Sequence, residues 1–216
     1  MRPALDRDRI AAAALAVADE RGARGLTLKA VATALGVTPM ALYHHVENKT
    51  ALVALMAEAA INENPLPPPS TDGWKQGLLD LARWTREQMF AHPAMATLQV
   101  EHRVWTPSAL AVGEQWMGLW QRSGLSHEAA VQAGVLSSLT ALGLMREQVF
   151  ILNDFTPPDE KDLAFVPNAR AMYGASLDPI ASFDLVVLAL IDGLHAQLSA
   201  QEKTTAETRR RSRRTA

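Results

Sequence analysis

At 216 residues, 48% of them hydrophobic and 20% charged, with a net charge of −2, the chain is ordinary globular material, long enough for one large or two modest domains. The absence of cysteine excludes disulfide stapling and thiol chemistry and fits a cytoplasmic protein. No run of about 18 apolar residues is free of charge, so no membrane span is expected. Asp6, Asp8, Asp19 and Glu20 interrupt the Ala-rich start where a signal-peptide core would lie.

The first predicted helix runs from Asp6 to Arg21 and ends at Gly22, with Ile10, Ala13, Ala14, Val17 and Ala18 as its inner face. Arg2, Arg7 and Arg9 precede and open it, either as a solvated terminus or as an arm that reaches a minor groove. Thr27 is an N-cap for a second helix, Leu28 to Leu35, where Leu28, Val31, Ala32 and Leu35 share one face. Gly36 stops that helix, because a residue without Cβ takes the left-handed cap at little cost. Thr38 then caps a third helix, Pro39 to His45, with Pro at its first position. Two short helices so closely joined cross steeply, as in a helix-turn-helix.

The third helix has a chemically unusual outside. Ala41, Leu42 and Val46 give it a small inner face, which leaves Pro39, Met40, Tyr43 and His44 outward. A solvated helix would carry Glu, Lys and Gln there. This apolar, aromatic and imidazole set suits phosphates and base edges, thymine methyls included. His45 divides evenly between that surface and a packed role. Asn48 caps the next helix, to about Asn62, and sets Lys49 beside an anion-favouring helix N-terminus.

This stretch resembles the DNA-binding domain of TetR-family transcriptional regulators. The resemblance covers about Ile10 to Ile61 without gaps and rests on Leu26-Thr27, Ala32, Leu35-Gly36-Val37, Leu42-Tyr43-His44-His45-Val46, Asn48-Lys49, Ala51-Leu52 and Leu55. It implies an all-α chain with an N-terminal helix-turn-helix domain and a C-terminal helical domain for ligand binding and dimerisation. It also implies DNA contacts from Thr27, Lys29, Thr38, Pro39, Met40, Tyr43, His44 and Lys49, and it makes the helix from Asn48 to Asn62 the link that carries a signal. Residues 1–62 carry a net +1, residues 63–200 a net −7 and residues 201–216 a net +4. Phosphates would repel the acidic middle and so orient the head toward DNA.

The Pro-rich stretch from Asn64 to Thr71 breaks every regular pattern and marks the expected boundary between domains 1–62 and 63–200. Helices are then expected over Asp72–Ala91 (capped by Ser70 or Thr71), Ala94–Arg103, Pro107–Arg122 and Ser126–Leu152. An irregular stretch to Leu177 holds one short helix near Ala169–Tyr173, and a last helix runs from Pro179 to Ala200. The basic tail 201–216 reads as disordered.

The helices near 127–152 and 179–198 are apolar almost all round, more than one chain of this size buries alone. They are expected to pair with a second copy in a four-helix homodimer interface, with Gly134, Gly143 and Gly193 permitting close approach. All five Trp lie beyond residue 73, on the three helices before that pair. With eight Met they suit the wall of a pocket for an apolar or aromatic effector; the candidates are Met89, Trp116, Met117, Trp120, Leu139 and Met145.

No cofactor and no metal are expected. Asp192 and His195 form an i, i+3 pair, yet a helical di-metal site needs several carboxylates and a second such motif. His92, His102 and His127 lie near predicted helix ends, where solvated or capping His is commonest. The expected function is a ligand-released repressor that binds a pseudo-palindromic DNA operator as a homodimer, not an enzyme. A helical-bundle enzyme and a constitutive DNA-binding or scaffold protein are the alternatives.

Overall fold

The computed structural model describes residues 5–153, 156–175 and 178–215, so Arg2 and parts of the stretch before Leu177 lie outside the described residues. The described residues form helices and no strand: α1 (Arg7–Gly25), α2 (Leu28–Leu35), α3 (Pro39–Tyr43), α4 (Lys49–Glu63), α5 (Trp74–Ala91), α6 (Pro93–His102), α7 (Pro107–Gln121), α8 (His127–Asn153), α9 (Glu160–Leu163), α10 (Pro167–Gly174) and α11 (Pro179–Thr215). They fall into two compact units, residues 1–122 and 123–216.

In the first unit α1 packs on α2, α4 and α6, and α5 packs on α6 and α7. One apolar core joins Ile10, Leu15 and Val17 of α1, Val31 of α2, Leu42 of α3, and Leu52, Val53 and Met56 of α4. Met95 and Leu98 of α6 complete it, so a helix from beyond the Pro-rich stretch helps to build the N-terminal core. Burial of these large side chains, each contributing on the order of 1.5–3 kcal/mol, offsets the entropy of ordering helices too short to stand alone.

Several boundaries move from the sequence expectation, each for a local reason. Gly22 does break α1, at φ 69° and ψ 175°, but helix resumes after the kink and reaches Gly25. The third helix stops at Tyr43, two residues early, and His44 forms its cap. Neither Ser70 nor Thr71 caps α5: Gly73 stands at its N-cap with no side-chain bond, and the Ser70 hydroxyl accepts the Asp72 amide instead. α6 opens at Pro93, one residue before the expected Ala94 and without a side-chain cap, whereas Thr106 accepts the Ala109 amide at the head of α7.

In the second unit α8 packs along α11, and the short α9 packs on α10. Ala130, Ala133, Ala141, Met145 and Val149 of α8 are buried, as are Phe183, Val187, Ile191 and Leu198 of α11. Asp178 accepts the Ile180 and Ala181 amides (2.8 and 2.9 Å) and so caps α11. These amide bonds hold its carboxyl below the ordinary aspartate value.

The segment expected to be disordered instead continues α11 to Thr215. Its Ala, Glu, Gln, Lys and Arg are strong helix formers. Glu202 also accepts the Ser126 amide (3.0 Å), which ties the continuation to the start of α8. The helix α9 was not anticipated. His127–Ile151 and Pro179–Thr208 are long and apolar enough to cross a bilayer by length and composition, because that criterion tolerates the few charges that rule out a charge-free run.

Candidate nucleic-acid interface

Three side-chain caps build the helix-turn-helix. Thr27 Oγ1 accepts the Ala30 amide (3.0 Å), Thr38 Oγ1 accepts the Ala41 amide (3.3 Å), and Asn48 Oδ1 accepts the Ala51 amide (2.9 Å). Each such cap contributes about 1 kcal/mol, a large share for helices of eight and five residues. Between α2 and α3, Gly36 is left-handed at φ 65° and ψ 36°. Its amide donates to Thr33 (3.1 Å) and the Val37 amide to Ala32 (3.0 Å), which closes α2 and turns the chain into Thr38.

Leu26, Val31, Ala32, Leu42 and Val46 all face the core, and this fixes what is left outside. Thr27, Lys29, Thr38, Pro39, Met40, Tyr43 and His44 are exposed. Met40 and Tyr43 are 69% and 50% exposed, both large and apolar on one five-residue helix. His45 is half-buried beside them. The exposed set thus offers two hydroxyls at helix starts, a phenol, an imidazole, one ammonium and an apolar tip.

Lys49 differs from the other candidates. It is half-buried and its ammonium donates to the Ala23 carbonyl at the end of α1 (3.5 Å). That bond joins the start of α4 to the kinked end of α1.

Above this surface, α4 is fastened by side chains that sequence reasoning did not single out. Thr50 Oγ1 lies 3.1 Å from His102 Nδ1 at the end of α6. Glu58 accepts both the amide (3.1 Å) and the hydroxyl of Ser108, in the first turn of α7. Burial pushes the Glu58 carboxyl up, but the Ser108 hydroxyl, the Ser108 amide and Thr106 together hold it below an ordinary glutamate. His92 is buried, with Nδ1 2.9 Å from Asp19 of α1 and Nε2 3.1 Å from Glu63 of α4. The expectation that His92 is solvated or a plain cap is therefore corrected. Its place at a helix end was legible, but partners 73 and 29 residues away were not.

The ligand-wall candidates do not share one environment. Trp116, Trp120 and Met145 are buried, Met89 and Met117 are half-buried, and Leu139 is 65% exposed. Leu139 lies with Val135, Leu136 and Leu142 on an exposed apolar face of α8. Trp105 falls in the α6–α7 connection, not on a helix, and is 79% exposed. Trp84, absent from the candidates, is buried, and its indole Nε1 is the enclosed side-chain polar atom that lacks a hydrogen-bond partner among the described residues. The Trp74 and Trp120 rings pack in a tilted pair, 40° between planes and 5.4 Å between centroids. Asp192 is exposed, and His195 Nε2 lies 3.1 Å from the Ser123 carbonyl.

Comparison with known proteins places this geometry. Residues 10–56 match the family described as bacterial regulatory proteins, tetR family, and residues 66–198 match the tetracyclin repressor-like C-terminal domain. The chain is 30% identical over 150 residues to the HTH-type transcriptional repressor DrrR1 of Streptomyces coeruleorubidus, which covers 69% of this chain and 56% of that protein. It is 29% identical over 215 residues to the class E tetracycline repressor protein of Escherichia coli, which covers 94% and 97%. The chain spans 56–65% of the length of the first three curated relatives it matches.

Among solved structures, apo ActR from Streptomyces coelicolor superposes with a TM-score of 0.73 at 25% identity, covering 93% of this chain and all of that one. ActR in complex with actinorhodin gives 0.73 at 27%, covering 91% and 99%. A variant of TetR from Acinetobacter baumannii in complex with minocycline gives 0.67 at 26%, covering 90% and 99%.

Proposed function

The chain belongs to the tetR family of bacterial regulatory proteins, and we propose on that premise that it is a cytoplasmic, ligand-responsive transcriptional repressor rather than an enzyme. Residues 1–62 are the DNA-binding head, residues 63–200 bind the effector and hold the dimer together, and residues 201–216 are a basic extension. The observation that carries this reading is the outward row of Thr27, Lys29, Thr38, Pro39, Met40, Tyr43 and His44 around a capped helix-turn-helix.

In this reading α3 enters the major groove. Met40 and Pro39 meet thymine methyls, His44 and Lys29 meet base edges or phosphate, and the hydroxyls of Thr27, Thr38 and Tyr43 meet phosphates. Lys49 reaches phosphate by leaving the Ala23 carbonyl. A second copy covers the exposed apolar faces of α8 (Val135, Leu136, Leu139, Leu142) and α11 (Ile180, Leu185, Val186). A protein surface suits these faces better than lipid, since Arg146, Glu147, Asp184 and Asp192 interrupt them. The two-fold axis then calls for a pseudo-palindromic operator.

The complexes of related proteins with actinorhodin and minocycline support a small-molecule effector, of apolar or aromatic character. Such a molecule releases the operator only by binding the DNA-free arrangement more tightly than the bound one. The test starts from duplexes of random sequence. Wild-type protein should enrich a two-fold symmetric site, and Tyr43→Ala should lose at least about tenfold in affinity for it while keeping its fold and its mass in solution. A protein that enriches no sequence is not this regulator.

A further inference from the structure

We propose that the end of α11 that runs past α8, residues 203–215, holds the phosphate backbone of duplex DNA without reading its sequence. This goes beyond the operator contacts of the head and does not depend on them.

The overhang follows from how α8 and α11 are fastened. Gln148 donates to the Pro179 carbonyl at one end of the pair (3.4 Å), and Glu202 accepts the Ser126 amide at the other (3.0 Å). The two helices therefore run antiparallel, and α8 begins at His127. Past Glu202, α11 continues to Thr215, about 20 Å beyond the start of its partner helix. Lys203 to Thr208 are all exposed.

This overhang is almost purely cationic. Residues 203–215 hold Lys203, Arg209, Arg210, Arg211, Arg213 and Arg214 against Glu207 alone. By register, Arg209 and Arg213, like Arg210 and Arg214, stand at i, i+4, while Arg210 and Arg213, like Arg211 and Arg214, stand at i, i+3. Like charges at these spacings repel and destabilise a helix, so a polyanion that neutralises them stabilises it. Cations do favour a helix C-terminus, but that effect reaches only the last turn and leaves Arg209 to Arg211 without a reason.

Composition selects the partner. Ala206 is the one apolar residue of the stretch, so nothing in it inserts into a bilayer or anchors in a pocket of another protein. It has no aromatic ring to stack on an unpaired RNA base. Clustered Arg suffices for a duplex backbone, where affinity comes from displaced counterions rather than from base contacts.

The experiment uses the full chain, a duplex of mixed sequence without an inverted repeat, and anisotropy titrations at several salt concentrations. The variant that combines Arg209→Gln, Arg210→Gln, Arg211→Gln, Arg213→Gln and Arg214→Gln keeps good helix formers and removes the charge. It should lose at least about tenfold in affinity near about 0.1 M salt, and its slope of log affinity against log salt should be shallower by about 3 or more, since five neutralised phosphates account for about 4.5. The same five positions changed to Lys should keep the wild-type slope within about 1. The Gln changes should have the same effect in a Tyr43→Ala background, which separates this contact from that of the head. A slope change below about 1, an equal loss in the Lys variant, or tighter binding to phosphatidylserine vesicles or to single-stranded RNA than to the duplex at the same salt overturns the assignment. A head that enriches no operator leaves this result as it is, so the two readings fail separately.

Discussion

Tyr43 and Lys49 read alike in the sequence, as outward groups for phosphate, yet folding treats them differently. Tyr43 is half exposed on a helix whose inner face is taken by Leu42, while Lys49 spends its ammonium on the Ala23 carbonyl. The pattern of the residues around Tyr43 was enough to place it, since helical spacing decides which side of α3 faces the core. The Lys49 contact was not legible, because it depends on where a kinked α1 ends. Lys29→Ala should lower operator affinity about uniformly across sequences and reduce the slope of log affinity against log salt by about 1, read by titration at several salt concentrations.

Gly36→Ala places a Cβ where φ is 65°, and should cost about 1–2 kcal/mol, seen as a lower denaturant midpoint with an unchanged slope. Glu58 sets a pH dependence. Because its folded carboxyl titrates below the ordinary value, its contribution is present above the unfolded value near about 4.3 and is lost as pH falls through the folded one. The wild-type thermal midpoint should therefore fall more steeply below about pH 4.5 than that of Glu58→Gln, in which no carboxylate titrates.

Among the elements, those that open on a capping side chain were the most legible. α2, α3 and α4 begin where Thr27, Thr38 and Asn48 said they would, and α11 begins behind Asp178. α5 opens without a side-chain cap, and its start was misjudged accordingly. The role of α6 was out of reach. Its mean pattern is nearly featureless, and only tertiary contact shows Met95 and Leu98 completing the N-terminal core. The continuation of α11 was misread for a different reason: like charge argued for disorder, while helix propensity and the Glu202–Ser126 bond decided for helix. The exposed stripes of α8 and α11 carry a direct test. Leu139→Asp and Leu185→Asp, both at side chains more than 60% exposed, should turn a dimer into a monomer in sedimentation equilibrium while helical circular dichroism is retained.

At the scale of the whole molecule, the proposed dimer would set two heads on one two-fold axis and so fix a spacing on DNA. Half-sites should present successive major grooves on one face of the duplex, about 10–10.5 base pairs apart or a multiple of that. Inserting about half a helical turn between the half-sites of a selected operator should cut affinity by about 100-fold or more, whereas a full turn should cost less, both read by footprinting. The general plan was open to sequence reasoning because the head is a local motif with its caps and turn in register. A wall for an effector was not, because Trp and Met at helical spacing look the same whether they line a pocket or fill a core.

The three fastenings along α4 have a mechanical consequence. Thr50 is held by His102 at one end, Glu58 by Ser108 part-way along, and Glu63 by His92 at the other. Thirteen residues of helix, about 20 Å, separate the outer two. A rod pinned at three heights cannot swing unless at least one pin lets go, and the pin that stays closed becomes the fulcrum. If the Glu58 pin holds, the two ends must travel in opposite senses. If the Glu63 pin holds, the whole shaft sweeps one way, and the end beside Asn48 travels farthest.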